Sequence, residues 1–351
     1  MSVSPTKIQD LRSNEVIIGP KTLILILVGR CDDAAPTVRT RAISAISDLL
    51  ENLTLSTPKV MAEYLLQLIL GVDSINLLDI LRNRTCDDKP LVRTKAISAY
   101  GAALSKLWPK SISDEDTGVV TTELISLYLT EDDVNVFMEC CNDTSVSVRK
   151  QAIFSLTNLV NCRRNESLLQ EAWVVSVLPL VADGESTVQA KFAQCAYDIL
   201  ITSVLAWDEE NKSKKSSNGT EKDSDVYAWS TCVRIVSSGR SKLLKSCIIL
   251  MARLGLFSNS GKNSLKNLLR IIKNACVYSL DMTEGASDSI VSRGAWALLE
   301  GFIDIPSNII LSDNTTLSTF GADIGYLLTH MLTHSHAYSL TYLLTYSLRF
   351  G

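Results

Sequence analysis

Apolar residues recur at three- and four-residue spacings through most of the chain, as in Ile43, Ile46, Leu49, Leu50, in Leu65, Leu68, Ile69, and in Leu124, Leu127, Tyr128. That spacing lines one face of a helix, not alternate faces of a strand. Between these stretches a polar pattern returns four times. Aligned on its basic residue, the first copy runs Asp33, Pro36, Val38, Arg39, Arg41, Ala42, Ile43, and the second Asp87, Asp88, Pro90, Val92, Arg93, Lys95, Ala96, Ile97. The third runs Asp143, Ser145, Val148, Arg149, Lys150, Ala152, Ile153. The fourth, Asp183, Gly184, Glu185, Ser186, Val188, Gln189, Lys191, Phe192, is degenerate, with Gln189 for arginine and Phe192 for alanine.

Each copy has an apolar stretch before it and another after it, so the unit reads as helix, tight turn, helix, with Leu65–Ile69 and Leu124–Tyr128 as entering helices. Asp, Ser, Thr and Gly in the turn suit the start of a helix, and Pro36 and Pro90 sit where a first helical turn tolerates proline. A helix pair that leaves one face apolar buries it by stacking on copies of itself. The expected fold is therefore all-α, a superhelix of antiparallel helix pairs of the HEAT/armadillo-like α-solenoid class. The basic positions 39, 93, 149 and 189 are unevenly spaced, which places insertions between the pairs.

The predicted organisation is an N-terminal cap or fragment start over 1–20, repeats over 21–207, a flexible charged loop over 208–225, further helical pairs over 226–311, and a tail over 312–351. The loop is assigned from its run of Asp, Glu, Asn, Lys, Ser and Gly. Helical periodicity returns after it without the aspartate-to-arginine signature, for example at Leu265, Leu268, Leu269 and Ile272. The tail is rich in Leu, Thr, Tyr and Ser and does not fit the repeat.

With 46% hydrophobic and 21% charged residues, the 351-residue chain holds ample material for a core. A net charge of −4 excludes a wholly basic nucleic-acid coat and confines any contact with DNA to a local patch. Nine cysteines, an odd number with no CxxC pair, read as reduced thiols serving as small apolar residues. Asp10, Arg12 and Glu15 interrupt any signal-peptide core, and Leu23–Val28 is too short to span a bilayer, so neither secretion nor a membrane is expected.

One segment carries a specific resemblance. Val146 to Leu156 reads VSVRKQAIFSL, followed by Trp173, by Val177-Leu-Pro179-Leu, and by Asp183-Gly-Glu-Ser-Thr-Val-Gln189. This resembles the HEAT-repeat regulatory (non-SMC) subunit of the condensin II complex, and Gly294-Ala-Trp-Ala-Leu-Leu-Glu300 is similar to that family's later helices. The resemblance implies a partial chain of a larger subunit that is nuclear and chromosome-associated. It implies kleisin and SMC ATPase partners, sequence-independent contact with DNA or chromatin and with histones, and a role in mitotic chromosome condensation. A nuclear-transport receptor or a phosphatase scaffolding subunit is the alternative scaffold, disfavoured by the irregular repeat spacing.

The motif arginines Arg39, Arg93 and Arg149 have two readings. In one they form a structural ladder with the turn aspartates Asp33, Asp87, Asp143 and Asp183 of their own or the adjacent turn. In the other they form a phosphate-binding stripe, for which the off-motif Arg41, Lys95, Lys150 and Lys191 are the better candidates, with Arg82, Arg84, Arg163 and Arg164 extending it. Lys212, Lys214 and Lys215 make a weak basic patch diluted by Glu209, Glu210 and Glu221. His330 and His334 have metal-ligand spacing but lack the glutamate of a zincin motif, so no metal is expected. No Walker A loop, GxGxxG or GxSxG occurs, and no enzyme, cofactor or small-molecule substrate is expected. The tryptophans Trp108, Trp173, Trp207, Trp229 and Trp296 are read as packing residues.

Overall fold

The repeated turn is organised by its aspartate. In all four copies the carboxylate Oδ1 accepts a bond from the backbone N–H two residues on: Ala35 at 2.9 Å, Lys89 at 3.0 Å, Ser145 at 2.7 Å and Glu185 at 2.8 Å. This local bond bends the chain and aims the next residues into a helix. In the first and fourth copies the N-cap positions themselves are Ala35 and Glu185, which make no side-chain cap bond. The aspartate, two positions earlier, binds the N–H of the N-cap residue itself, so it shapes the turn that enters the helix and does not cap the first helical N–H groups.

A computed structural model describes residues 19–52, 59–69, 76–106, 129–164, 166–216, 227–257, 265–276, 286–303 and 305. Among these residues there is no strand. The helices are α1 (Pro20–Arg30), α2 (Pro36–Glu51), α3 (Lys59–Ile69), α4 (Leu77–Thr85), α5 (Pro90–Lys106), α6 (Glu131–Cys141), α7 (Val146–Cys162), α8 (Ser167–Ala172), α9 (Ser186–Tyr197), α10 (Ser203–Ser216), α11 (Tyr227–Ser237), α12 (Ser241–Arg253), α13 (Leu265–Cys276) and α14 (Ala286–Ile303). The chain divides into two compact units, Met1–Leu159 and Val160–Gly351. Residues 1–18 of the expected cap, Trp108, Leu124–Tyr128, the histidines and the tail over 312–351 lie outside the described residues.

In the first unit α1 packs on α2, α2 runs along α5, and α4 packs on α5 and α6. The motif's alanine and isoleucine carry the contact: Ala42, Ile43, Ala96, Ile97, Ala152 and Ile153 are all buried. Gly101 of α5 faces α7, where an added Cβ would come 3.0 Å from that of Ser155. One expectation changes here. Leu65, Leu68 and Ile69 do lie buried on a helix, α3, but the helix that enters the second turn is α4. It is only nine residues long and carries Arg82 and Arg84, so its apolar face of Leu77, Leu78 and Leu81 is too brief to dominate a periodicity reading.

In the second unit α11, α12 and α13 all pack on α14. Gly294 permits a close backbone crossing, because a Cβ there would stand 2.7–2.9 Å from the backbone oxygen, Cβ and Cα of Trp229. The tight link between α11 and α12 is a Schellman turn: Gly239, at φ 74°, donates to Val236 O and Arg240 to Ile235 O. Gly255, at φ 67°, closes α12 the same way. The degenerate fourth copy also finds its reason. Phe192, in place of alanine, is fully buried and stacks on Trp173 with ring centroids 6.4 Å apart.

After Ala172 the α8 path widens into a π turn over Trp173–Val177 and then tightens into a 3-10 turn over Leu178–Ala182. Pro179 supplies a cause, since it has no N–H for the carbonyl of Val175 and its ring would strike that carbonyl in a regular helix. The segment expected to be a loop from Asp208 is helical to Ser216. Asp208 is the reason: Lys212 pairs with it one turn on, and Arg270 of α13 reaches it at 3.3 Å. The tryptophans Trp173, Trp207 and Trp229 are buried, the last two edge to face at 5.2 Å.

Candidate functional site

The aspartate–arginine signature assembles into a ladder within the first unit. Arg39 donates through Nη1 to the carbonyl oxygens of Asp33 (2.9 Å) and Ala34 (3.1 Å) in its own turn, and through Nη2 to the carboxylates of Asp87 (2.8 Å) and Asp88 (3.2 Å) in the next. Arg93 repeats the geometry one copy on. Its Nη1 reaches Asp87 O at 2.9 Å, while Nε and Nη2 grip both oxygens of Asp143 at 2.7 and 2.8 Å. Arg149 makes the same bonds within its own turn, donating to Asp143 O at 2.9 Å and Thr144 O at 3.2 Å. The planar guanidinium is suited to both tasks at once, because it presents five donors in a rigid fork.

Asp87 and Asp143 thus have two duties, each shaping its own turn and receiving the arginine of the preceding copy, and Arg39 and Arg93 each tie down their own turn's carbonyls and reach to the following copy. Gln189 shows how the duties separate: its Nε2 bonds Asp183 O at 2.7 Å, preserving the backward half, but a neutral amide cannot form the forward ion pair. The fourth copy therefore keeps the turn and ends the charged series.

Electrostatics follow from this packing. Burial pushes the Asp87 carboxyl up, but the Arg39 guanidinium and the Lys89 N–H outweigh it and hold it down to about 2. Burial also raises Asp143, and Arg93 with the Ser145 N–H more than reverses the shift. A second buried carboxylate, Asp133, starts α6 in a reciprocal cap with Thr130 and accepts from Tyr100 Oη at 2.5 Å and Arg82 at 2.7 Å. No sequence motif pointed to that network, since its partners lie 33 and 51 positions apart along the chain.

The off-motif cations are placed differently. Arg41 is exposed on α2, whereas Lys95, Lys150 and Lys191 are half-buried. Arg41, Lys95 and Lys191 each follow the motif position by two residues, but Lys150 follows Arg149 by one, and the register position of Arg41 is held there by Gln151. One residue of an α-helix is a rotation of about 100°, so Lys150 leaves the row and shares its register with Thr40 and Thr94. Lys191 lies near Asp198, whose carboxyl is raised by burial and lowered by that lysine. Among the further candidates, Arg82 and Arg84 are engaged by Asp133 and Asp87, and Arg163 is only 1% exposed, which removes it from any phosphate surface. Arg164 is exposed and lies over the Tyr227 ring at 5.4 Å.

Stacked helix pairs with this turn chemistry make the fold an all-α, HEAT/armadillo-like one. The HEAT repeat family matches residues 134–162, which hold most of α6, the third turn and α7. Among characterised relatives, the chain is 26% identical over 270 residues to condensin-2 complex subunit D3-L of Xenopus laevis, covering 67% of this chain and 17% of that one. It is likewise 26% identical over 267 residues to condensin-2 complex subunit D3 of Mus musculus, covering 68% and 17%. The chain thus spans about a sixth of these relatives' length. Among solved structures it is similar to an engineered protein (TM-score 0.38, 12% identity, 80% of this chain and 96% of that one) and to a designed armadillo repeat protein (TM-score 0.37, 13% identity, 78% and 98%). Among the described residues no helix is long and apolar enough to cross a membrane, and no cluster of three metal-ligating side chains occurs.

Proposed function

We propose that this chain is part of a non-catalytic HEAT-repeat scaffold subunit of condensin II, acting at chromosomes in the nucleus during mitosis. The similarity to condensin-2 subunit D3 over two thirds of the chain carries this reading. In it the helix pairs present surface to a kleisin and, through it, to the SMC ATPases, while ATP hydrolysis takes place on those other subunits. Arg41, Lys95 and Lys191 supply sequence-independent phosphate contacts to DNA or chromatin. Lys150 contributes from a separate face, and histone acidic surfaces are further candidates for the same cations. The ladder geometry supports this division of labour, because it leaves Arg39 and Arg93 committed to holding turns. The test is to tag the chain in its own cells, purify it from mitotic extract and identify its companions by mass spectrometry. Recovery of two SMC ATPases and a kleisin is expected; transport cargo or phosphatase subunits in their place would overturn the assignment.

A further inference from the structure

The second unit carries an open groove of about 460 Å³ between the π turn after α8, helix α11 and helix α14. Its apolar wall is Val174, Val175, Val233 and Ile290, and Val175 is 36% exposed although it belongs to an otherwise buried turn. Val175 lies within the π turn over Trp173–Val177, whose other members are buried.

The polar side of the groove is arginine-rich. Arg234 is steadied by donating Nε to Gln170 Oε1 at 3.3 Å, and Gln170 is itself buried. Its terminal nitrogens have no carboxylate partner among the described residues, and the Arg240 side chain has none either. Arg240 is set at the rim by the Gly239 Schellman turn. Among the described residues neither of these two cations forms an ion pair. Glu171, which also lines the groove, disfavours a continuous polyanion such as a nucleic-acid backbone. The volume lies in the range of pockets that hold a small-molecule-sized group, about 300–1,000 Å³, which exceeds one side chain, and the open form admits a chain passing through.

We propose that this groove holds a short peptide segment of a partner protein, seating one apolar side chain against Val174, Val175 and Val233 and pairing a nearby carboxylate with Arg234 and Arg240. The inference rests on the scaffold reading above and adds to it the face used and the chemistry recognised. An apolar anchor fixes register, and the charge-assisted bonds to arginine select an acidic neighbour within about one helical turn.

The experiment places the photo-crosslinker p-benzoylphenylalanine at position 175 of the tagged full chain in its own cells, with a control at exposed Arg253, and sequences the cross-linked segments. The expected product is a segment with Asp or Glu within four residues of Leu, Ile, Val, Met or Phe. Its yield should fall about fivefold in Arg240→Glu, which breaks no side-chain hydrogen bond or ion pair among the described residues, and about tenfold or more in Arg234→Glu/Arg240→Glu. A yield indifferent to both substitutions, a segment lacking acidic residues, or no product beyond that of the control overturns the proposal. If condensin subunits co-purify while the groove cross-links nothing, the groove fails and the scaffold reading stands. If an acidic, apolar segment of a protein outside condensin is captured and lost in the charge variants, the groove stands and that reading fails.

Discussion

Arg93 and Asp143 are both largely buried and joined by two short charge-assisted bonds, so removing either leaves the other's charge without its partner. Losing one member of such a pair typically costs about 3 kcal/mol, less where water reaches the stranded group. Arg93→Ala and Asp143→Ala should each lower the urea midpoint, and the double variant should lose less than their sum, with a coupling of about 1–3 kcal/mol. Strict additivity would mean that the two residues act separately. The same chemistry sets a pH dependence. Asp87 sits below its ordinary value of 3.8, at about 2, so its contribution is fully present above 3.8 and is lost as pH falls through that window. The contribution is on the order of 2 kcal/mol. Urea midpoints measured between pH 5 and 2 should decline, and Asp87→Asn should start lower and flatten part of that decline.

Helices in this protein meet where side chains are small, and Gly101, Gly294 and Gly301 mark close approaches among the described residues. At Gly294 the obstacle to a Cβ is the backbone of Trp229, which cannot rotate away, so Gly294→Ala should push α14 off α11. A loss of about 2 kcal/mol or more is expected, with a red-shifted tryptophan emission as buried Trp229 meets water. An unchanged Tm and spectrum would mean that the crossing relaxes freely. What the sequence disclosed about these elements depended on length and local chemistry. The turns were legible because Asp and Arg lie six positions apart and act on the same backbone. Helix α4 was not, being short and dotted with arginines, and the reach of α10 to Ser216 depends on Asp208 meeting a residue 62 positions away. The π turn required knowing that Pro179 falls inside a continuing helix and not at its end.

Across the whole molecule the net charge of −4 means that any attraction to DNA comes from where cations sit, not from their number. The ladder reading of the arginines was legible in the sequence as one of two alternatives, and the structure joins Arg39 to Asp87 and Arg93 to Asp143. Among the off-motif cations, Lys150 departs by one residue from the register that Arg41 and Lys95 share, and Arg163 is buried, neither of which a reading of charge along the sequence separates. One measurement separates the two sets of cations: titration of a fluorescent 30-base-pair duplex with the full chain at several salt concentrations, for the unmodified protein, Arg41→Ala/Lys95→Ala and Arg93→Ala. Each lost phosphate contact should reduce the slope of log affinity against log salt by about 0.9, hence by about 2 in the double variant, with its urea midpoint unchanged. Arg93→Ala should lower the midpoint and leave the slope of the folded protein alone. The reverse pattern, with a slope that follows Arg93 and ignores Arg41 and Lys95, would contradict the assignment of structure to the ladder and function to its neighbours.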